Sequence, residues 1–355
     1  MLISKVGSTH PTIHLSNMHT RHFTSHPRVS FPTATGTTKS ISTRSGDLTV
    51  TICGDTTLNP CIAYPEVGFN GSTCFLPLIL AAGSQSLLLK HHYFIFIEPA
   101  ASPTQPPTIT DYALQLQDIV SHFKLKEVLG MGMGIGGYIM TKFAADNPRI
   151  LSGLILISPC CQAVGWSWEW LTGLRAVKAL EYSSSSSSSS SSLPAKQEDA
   201  GNIDNSSIIY SNTSEWSVYA KSHFASRLFG NRTIQTDMGK SDIVDAFERD
   251  CQHVSPTGTA AYLKACIYRE DILEDARRVK CRILLLYGRE SLYCKDCEEL
   301  ATVVNKGRFA VMEVAGVGTA ICQEAPTEVL GMIQSYLTAL QLEGYGLGAG
   351  LIVGE

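Results

Sequence analysis

Apolar and polar positions alternate at two periods along most of the chain. Leu48-Thr-Val-Thr-Ile-Cys53 alternates at period two, as a half-buried strand does. Cys61–Tyr64, Tyr93–Ile97, Glu127–Met131 and Gly153–Ser158 are short apolar runs that read as buried strands. Phe75–Leu89 reads as a helix or a helix and loop. Ile109–Phe123 repeats Tyr112, Leu116, Ile119, Val120 and Phe123 at helical spacing after a Thr110-Asp111 cap, and Tyr138–Asp146 continues the alternation as a helix. About 110 residues then interrupt it. Beyond them Arg282–Tyr287 and Phe309–Val314 read as strands, and Asp296–Val304 and Thr327–Leu340 as helices. Strands alternating with helices predict an α/β protein with a mostly parallel, doubly wound sheet.

The interruption carries its own helical patterns over Trp216–Phe229, Lys240–Arg249, Gly258–Ile267 and Asp271–Arg278. It therefore reads as a helical cap, spanning about residues 165–278, inserted between two strands of the sheet. Within it Ser183–Ser192 is an unbroken serine run, and polar sequence continues to Ser214. Residues 183–214 lack the apolar surface to fold alone and predict a disordered loop. Residues 1–42 contain no Asp or Glu, and they read as a disordered extension that could also serve as an organellar transit peptide. Order is expected from Thr43 to residue 342, followed by a flexible Gly-rich tail, 343–355.

Composition narrows the function classes. The net charge of −4 argues against nucleic acid as a partner. No stretch has the ~18 uninterrupted apolar residues of a membrane span. The 11 cysteines show no metal spacing; Cys294 and Cys297 form a CxxC without a second pair, so no metal is assigned. The pattern is that of reduced thiols in the cytoplasm.

The segment from Gly130 to Gly137 holds the candidate chemistry. It follows a strand and opens a helix, the place of a nucleophile elbow, G-x-S-x-G. In the frame Gly132-Met133-Gly134-Ile135-Gly136 the nucleophile position is Gly134, which has no side chain to attack with. The segment also matches the dinucleotide fingerprint at Gly132, Gly134 and Gly137, which would suit an oxidoreductase. The next strand ends Leu156-Ile157-Ser158-Pro159, without the acid that would hold a ribose, so no cofactor is assigned.

The other elements of a hydrolase triad are expected in the loops after the late strands. Glu290 is the acid available after Tyr287. The histidine is expected near Thr319, and the last histidine of the chain is His253. In the oxyanion loop, Pro65 lacks an N–H and Glu66 places a carboxylate where an anion would form; Gly68 follows them. Cys74, Cys160 and Cys161 follow strands or loops near these positions, but none has an evident histidine partner.

Several motifs in order resemble the N-myc downstream-regulated (NDR) family, of the plant type. They are Val67-Gly-Phe-Asn70 with Cys74-Phe75; Leu114-x-Leu116-x-x-Ile119-Val-x-His122-Phe123; Gly130-Met-Gly-x-Gly-x-Gly136; Asn147-Pro148; Gly165-Trp166; Ser241-Asp-Ile-Val244; Asp271-Ile272; and Val279-Lys-Cys281. The resemblance implies an α/β-hydrolase fold without a working triad and a role in signalling, stress response or development. It also implies protein partners, heterotrimeric G-protein βγ subunits among them. The chain departs from the family at Pro65-Glu66, where His-Asp is usual, at Glu98-Pro-Ala-Ala101, and in the serine run. Trp166, Trp168 and Trp170 are a candidate partner surface, with packing of the cap onto the sheet as the favoured reading of the three. A small-ligand carrier or residual hydrolase is the rival expectation.

Overall fold

The computed structural model describes residues 36–83, 86–98, 107–164, 167–188, 216–235 and 241–342, which belong to one compact unit. Two polar strands open it, β1 (Thr37–Thr43) and β2 (Gly46–Cys53), paired antiparallel across a tight turn. Strand β3 (Asn59–Tyr64) follows, then α1 (Gly71–Ala82), α2 (Leu87–His91) and β4 (His92–Glu98). Next come α3 (Ile109–His122), β5 (Val128–Met133), α4 (Ile135–Asp146) and β6 (Leu151–Ile157). The cap supplies α5 (Trp168–Ser188), α6 (Val218–Leu228), α7 (Asn231–Ile234), α8 (Asp242–Asp250), α9 (Pro256–Ile267) and α10 (Leu273–Arg278). The chain closes with β7 (Arg282–Gly288), α11 (Cys294–Val303), β8 (Phe309–Val314), α12 (Ile321–Glu324) and α13 (Pro326–Leu342).

The eight strands form one sheet in the order β1-β2-β4-β3-β5-β6-β7-β8. The first two pairings, β1 with β2 and β2 with β4, are antiparallel, and the rest are parallel. β3, β5, β6 and β7 are the apolar runs expected of strands covered on both faces, and nearly every residue in them is buried. The chain passes from β3 to β4 on one side and returns to β5 on the other, so the topological switch point lies between β3 and β5, where the loops at their carboxyl ends meet. Local signals fix the helix starts. Thr108 and Asp111 form a reciprocal capping box on α3, and Ser255 with Pro256 starts α9.

Two expected boundaries are corrected. Order begins at least six residues before Thr43, because Thr37–Thr43 pairs in register with β2. Ile41 is its one fully buried side chain, so the period-two signal is too thin to read. The serine run does not begin a loop at Ser183: α5 continues through Ser188. Leu180 anchors that turn in the core, and the Ser183 hydroxyl donates to the Ala179 carbonyl at 2.8 Å while accepting the Ser217 N–H at 3.1 Å. The remainder of the expected loop, the N-terminal residues 1–35 and the tail from 343 lie outside the described residues. No described helix is long and apolar enough to cross a membrane.

Candidate functional site

β5 delivers the chain to Gly134 and α4 leaves from it within one residue. Gly134 has φ 55° and ψ −117°, a conformation that costs an L-residue roughly 1–2 kcal/mol. Its carbonyl accepts N–H groups from Tyr138 at 3.2 Å and Cys160 at 3.3 Å, which holds the turn against the end of β6. Gly136, the second residue of α4, is close enough to β3 that a Cβ there would strike the Tyr64 carbonyl. This is the sharp strand-to-helix elbow of a hydrolase, built on glycine at its apex.

Glu66, in the loop after β3, fills the space above the apex. It is fully buried, and its Oε2 accepts the Ile135 N–H at 2.8 Å. In elbow hydrolases the N–H after the nucleophile is a donor of the oxyanion hole. A Cβ added to Gly134 would coincide with that same Oε2. The chain's own carboxyl therefore sits where a nucleophile would stand and takes the donor that an oxyanion would use. Burial pushes this carboxyl up to about 8; Arg227 and the Ile135 and Val67 N–H groups pull the other way without overcoming it. The expectation of a repelling carboxylate at this point is thus corrected: near neutral pH the group is mostly the neutral acid. Its other oxygen, Oε1, has no hydrogen-bond partner. Pro65 contributes its carbonyl, which accepts the Tyr262 hydroxyl at 2.9 Å, and Gly68, at φ 98°, lies against the Phe224 ring.

The loops after β7 and β8 meet through hydroxyls. Ser291 Oγ and Thr319 Oγ1 are 2.9 Å apart, and both residues are buried. The Tyr293 N–H donates to Ser291 at 3.1 Å and Thr319 donates to the Arg227 carbonyl at 3.2 Å, which orients the pair. Glu290, the expected acid, does not join Thr319. It turns to the start of α7 and accepts the Asn231 N–H at 2.6 Å. A single residue along the turn reverses the direction of the side chain, so the residue facing Thr319 is Ser291.

The cap buries two guanidinium groups side by side on one carboxylate. Arg227 of α6 and Arg269 after α9 have side chains 4% and 2% exposed and share one carboxylate, Glu169 of α5, at 3.2 and 3.3 Å. The Tyr293 ring lies under both, with its hydroxyl bonded to Arg227. Burial opposes ionisation of Glu169, but the two arginines outweigh it and hold its carboxyl below the usual range. Cys266 Sγ on α9 accepts from Arg227 at 3.7 Å and from Arg269 at 3.5 Å. Clefts of about 280 and 430 Å³ lie elsewhere on the described surface; Gly134, Glu66, Ser291 and Thr319 line neither of them.

The structure therefore brings Glu66 onto Gly134, pairs Thr319 with Ser291, and turns Glu290 away to the start of α7. Sequence reasoning missed Arg227 and Cys266, which sit inside patterns of ordinary cap helices, and Glu169 and Arg269, which lie outside any pattern read there. Ser291 had a signal, its place three residues after Gly288 at the end of β7. Of the tryptophans, Trp168 is exposed, Trp170 packs part-buried against the core, and Trp166 lies outside the described residues. Trp170 thus follows the packing reading, and Trp168 does not pack.

Sheet order, elbow and capping helices define an α/β-hydrolase fold. Solved structures agree: an esterase from Thermogutta terrifontis matches with a TM-score of 0.63 at 14% identity, covering 86% of this chain and 99% of that one. An enol-lactonase from Burkholderia xenovorans LB400 matches with a TM-score of 0.60 at 13% identity, over 84% of this chain and all of that one. Residues 38–197 and 203–347 match the model of the Ndr family, and the chain belongs to that family. Among relatives, the pollen-specific protein SF21 of Helianthus annuus is 27% identical over 86% of this chain and 80% of its own length. Protein NDL1 of Arabidopsis thaliana is 27% identical over 86% and 81%. The NDRG-like protein of Dictyostelium discoideum is 22% identical over 79% and 77%.

Proposed function

We propose that this chain is a non-catalytic α/β-hydrolase-fold protein that acts in signal transduction, stress response or development by binding protein partners in the cytoplasm. The observation that carries the reading is Glu66, which occupies the nucleophile's space and holds the Ile135 N–H. An attacking group and an anion cannot share that volume with it. Ser291 and Thr319 add to this, because two hydroxyls of ordinary acidity cannot serve as acid and general base at neutral pH. All 11 cysteines are free, which suits a reducing compartment.

The test is hydrolysis of short-chain aryl esters by the full chain, beside a Glu66→Ala/Gly134→Ser variant. The second substitution needs the first, since a serine at 134 collides with Glu66. Both proteins are expected to match a heat-denatured control, because Thr319 holds the position of the triad histidine in each. Turnover by the unmodified chain would overturn the proposal.

The partner surface we assign is the outer face of α5. Trp168 and Leu171 are 72% and 37% exposed, and Arg175, Lys178 and Tyr182 continue the same face at alternating spacings of three and four. Its aromatic ends and basic centre suit an acidic partner surface with an apolar pocket. By family resemblance the first partner to try is the G-protein βγ dimer. Trp168→Ala is expected to weaken capture at least tenfold, since tryptophan anchors carry about 2 kcal/mol or more. Tm should stay unchanged, as an exposed substitution costs within about 0.5 kcal/mol. Equal capture by the variant would remove α5 from the interface.

A further inference from the structure

A cleft of about 280 Å³ opens between the antiparallel margin of the sheet, the start of α1 and the start of α9. Gly134, Glu66, Ser291 and Thr319 are not among its walls, so it stands apart from the blocked elbow. One wall follows from the pattern of β2. Leu48 and Val50 are fully buried on one face, which turns Thr49 and Thr51 to the other. Pairing sets Thr49 opposite Glu98 of β4 and Thr51 opposite Thr38 of β1, so three hydroxyls and one carboxyl share a single face. The hydroxyls of Thr38 and Thr51 are 3.5 Å apart. On an uncovered sheet such a face is simply solvated. Here the cap lays the first turn of α9 beside it, and Gly258 and Thr259 join the wall.

The polar groups of the cleft are mostly acceptors. Glu98 Oε2 accepts the Gly71 N–H at 2.8 Å, and Asn70 Oδ1 accepts the Thr73 N–H at 2.7 Å and the Ser72 hydroxyl at 3.0 Å. The positive end of α1 is thus spent on the chain's own side chains. Thr259 donates to the Ser255 carbonyl at 2.8 Å and Tyr262 to the Pro65 carbonyl at 2.9 Å, which leaves these hydroxyls their lone pairs. Among the described residues no lysine or arginine lines the cleft, and the exposed His253 is its one basic side chain. An anion entering it meets no guanidinium or ammonium and finds a carboxyl already seated. A cation fares little better: burial raises the Glu98 carboxyl to about 7, against the pull of the Gly71 and Ser72 N–H groups, so much of it is the neutral acid at neutral pH.

We propose that this cleft binds a neutral polyhydroxyl compound the size of one monosaccharide. Its hydroxyls donate to the Glu98 carboxyl and to the oxygens of Thr49 and Thr51, and its ring lies between the β2 face and the start of α9. A ligand rich in O–H donors satisfies acceptor-lined walls that an apolar molecule would leave unpaired. The volume falls just below the ~300 Å³ at which pockets begin to take drug-sized molecules, which limits the occupant to a small one. The site is independent of the elbow, so it holds whether or not the chain hydrolyses esters.

The experiment is saturation-transfer-difference NMR on the full chain at pH 7, titrating D-glucose, D-galactose and D-mannose one at a time, with glucose 6-phosphate and glucosamine as charged counterparts. At least one neutral hexose is expected to give a saturable signal with a dissociation constant on the order of 1 mM, the range that so few atoms allow. Thr49→Val/Thr51→Val keeps the β-branched shape of both side chains and removes only their oxygens; it should weaken that binding about tenfold or more. Glu98→Gln should weaken it comparably, since an amide replaces one of the acceptor oxygens. Far-ultraviolet circular dichroism checks that each variant is folded. Ser335→Ala, which removes a hydroxyl bonded within α13, should bind as the parent does. Absence of a saturable signal from all three hexoses up to about 50 mM, far above that range, would overturn the proposal. So would undiminished binding by the folded double threonine variant, or tighter binding of glucose 6-phosphate or glucosamine than of any neutral hexose.

Discussion

Replacing Gly134 by alanine is expected to destabilise the fold by about 3 kcal/mol or more, and removing the Glu66 side chain in the same molecule should return about 2 kcal/mol of that loss. Two costs combine in the single variant. A Cβ at φ 55° is strained in any surroundings. It also falls on Glu66 Oε2, which is enclosed on every side and cannot step away without giving up the Ile135 N–H. Glu66→Ala removes the second cost and leaves the first. Urea denaturation of the four proteins in the cycle measures the coupling. Effects that add to within about 0.5 kcal/mol would mean that Glu66 does not occupy the space above the elbow.

The second large effect concerns pH. The Glu66 carboxyl is raised from an ordinary 4.5 to about 8 in the folded chain, chiefly by burial. Between those values the unfolded chain carries the charge and the folded chain carries the proton. The stabilising contribution is therefore complete below pH 4.5 and is lost as pH climbs through 8. Glu66→Gln, which resembles the neutral acid at every pH, should be more stable than the parent at pH 8 by on the order of 3 kcal/mol and nearly equal to it at pH 4.5. The comparison is a difference between two profiles. Glu98, pushed up to about 7 by its burial, slopes the same way in both, and Cys266, pulled down to about 6, slopes the opposite way in both. Parallel profiles for the two proteins would show that Glu66 is ionised in the fold and that a cation neutralises it.

The architecture was legible because its signals are local. The apolar runs of β3 to β8 and the helical periods between them lie within single elements, and the glycines around Gly134 announce a turn between a strand and a helix. The emptied nucleophile position is readable from one residue. What fills it is not, because Glu66 and Gly134 are far apart in sequence and meet only once β3 and β5 pair. The sequence reading accordingly took Glu66 for a charge facing an absent anion, whereas burial makes it a neutral plug. Glu290 and Ser291 differ by one step along a turn, and hydrophobic pattern carries no information about which one faces Thr319. Arg227 lies on a cap helix and Arg269 in the turn after one, where charges ordinarily point to water, so their burial emerges only from the packing of cap on sheet.

The edge of the sheet has a consequence for how molecules of this protein behave toward one another. β1 lies at one margin, shows four exposed residues in succession, Thr37 to Ser40, and carries Lys39 among its hydroxyls. A polar, charged edge is a poor template for a strand from a neighbouring molecule. β2, beneath it, is more apolar, with Leu48 and Val50 fully buried. A chain shortened to Thr43 would strip away β1, leave the backbone donors and acceptors of β2 unpaired along the open margin, and present a half-apolar strand to its neighbours. β1 thus satisfies the pairing edge of the more apolar β2 with residues whose own burial contributes little to the core.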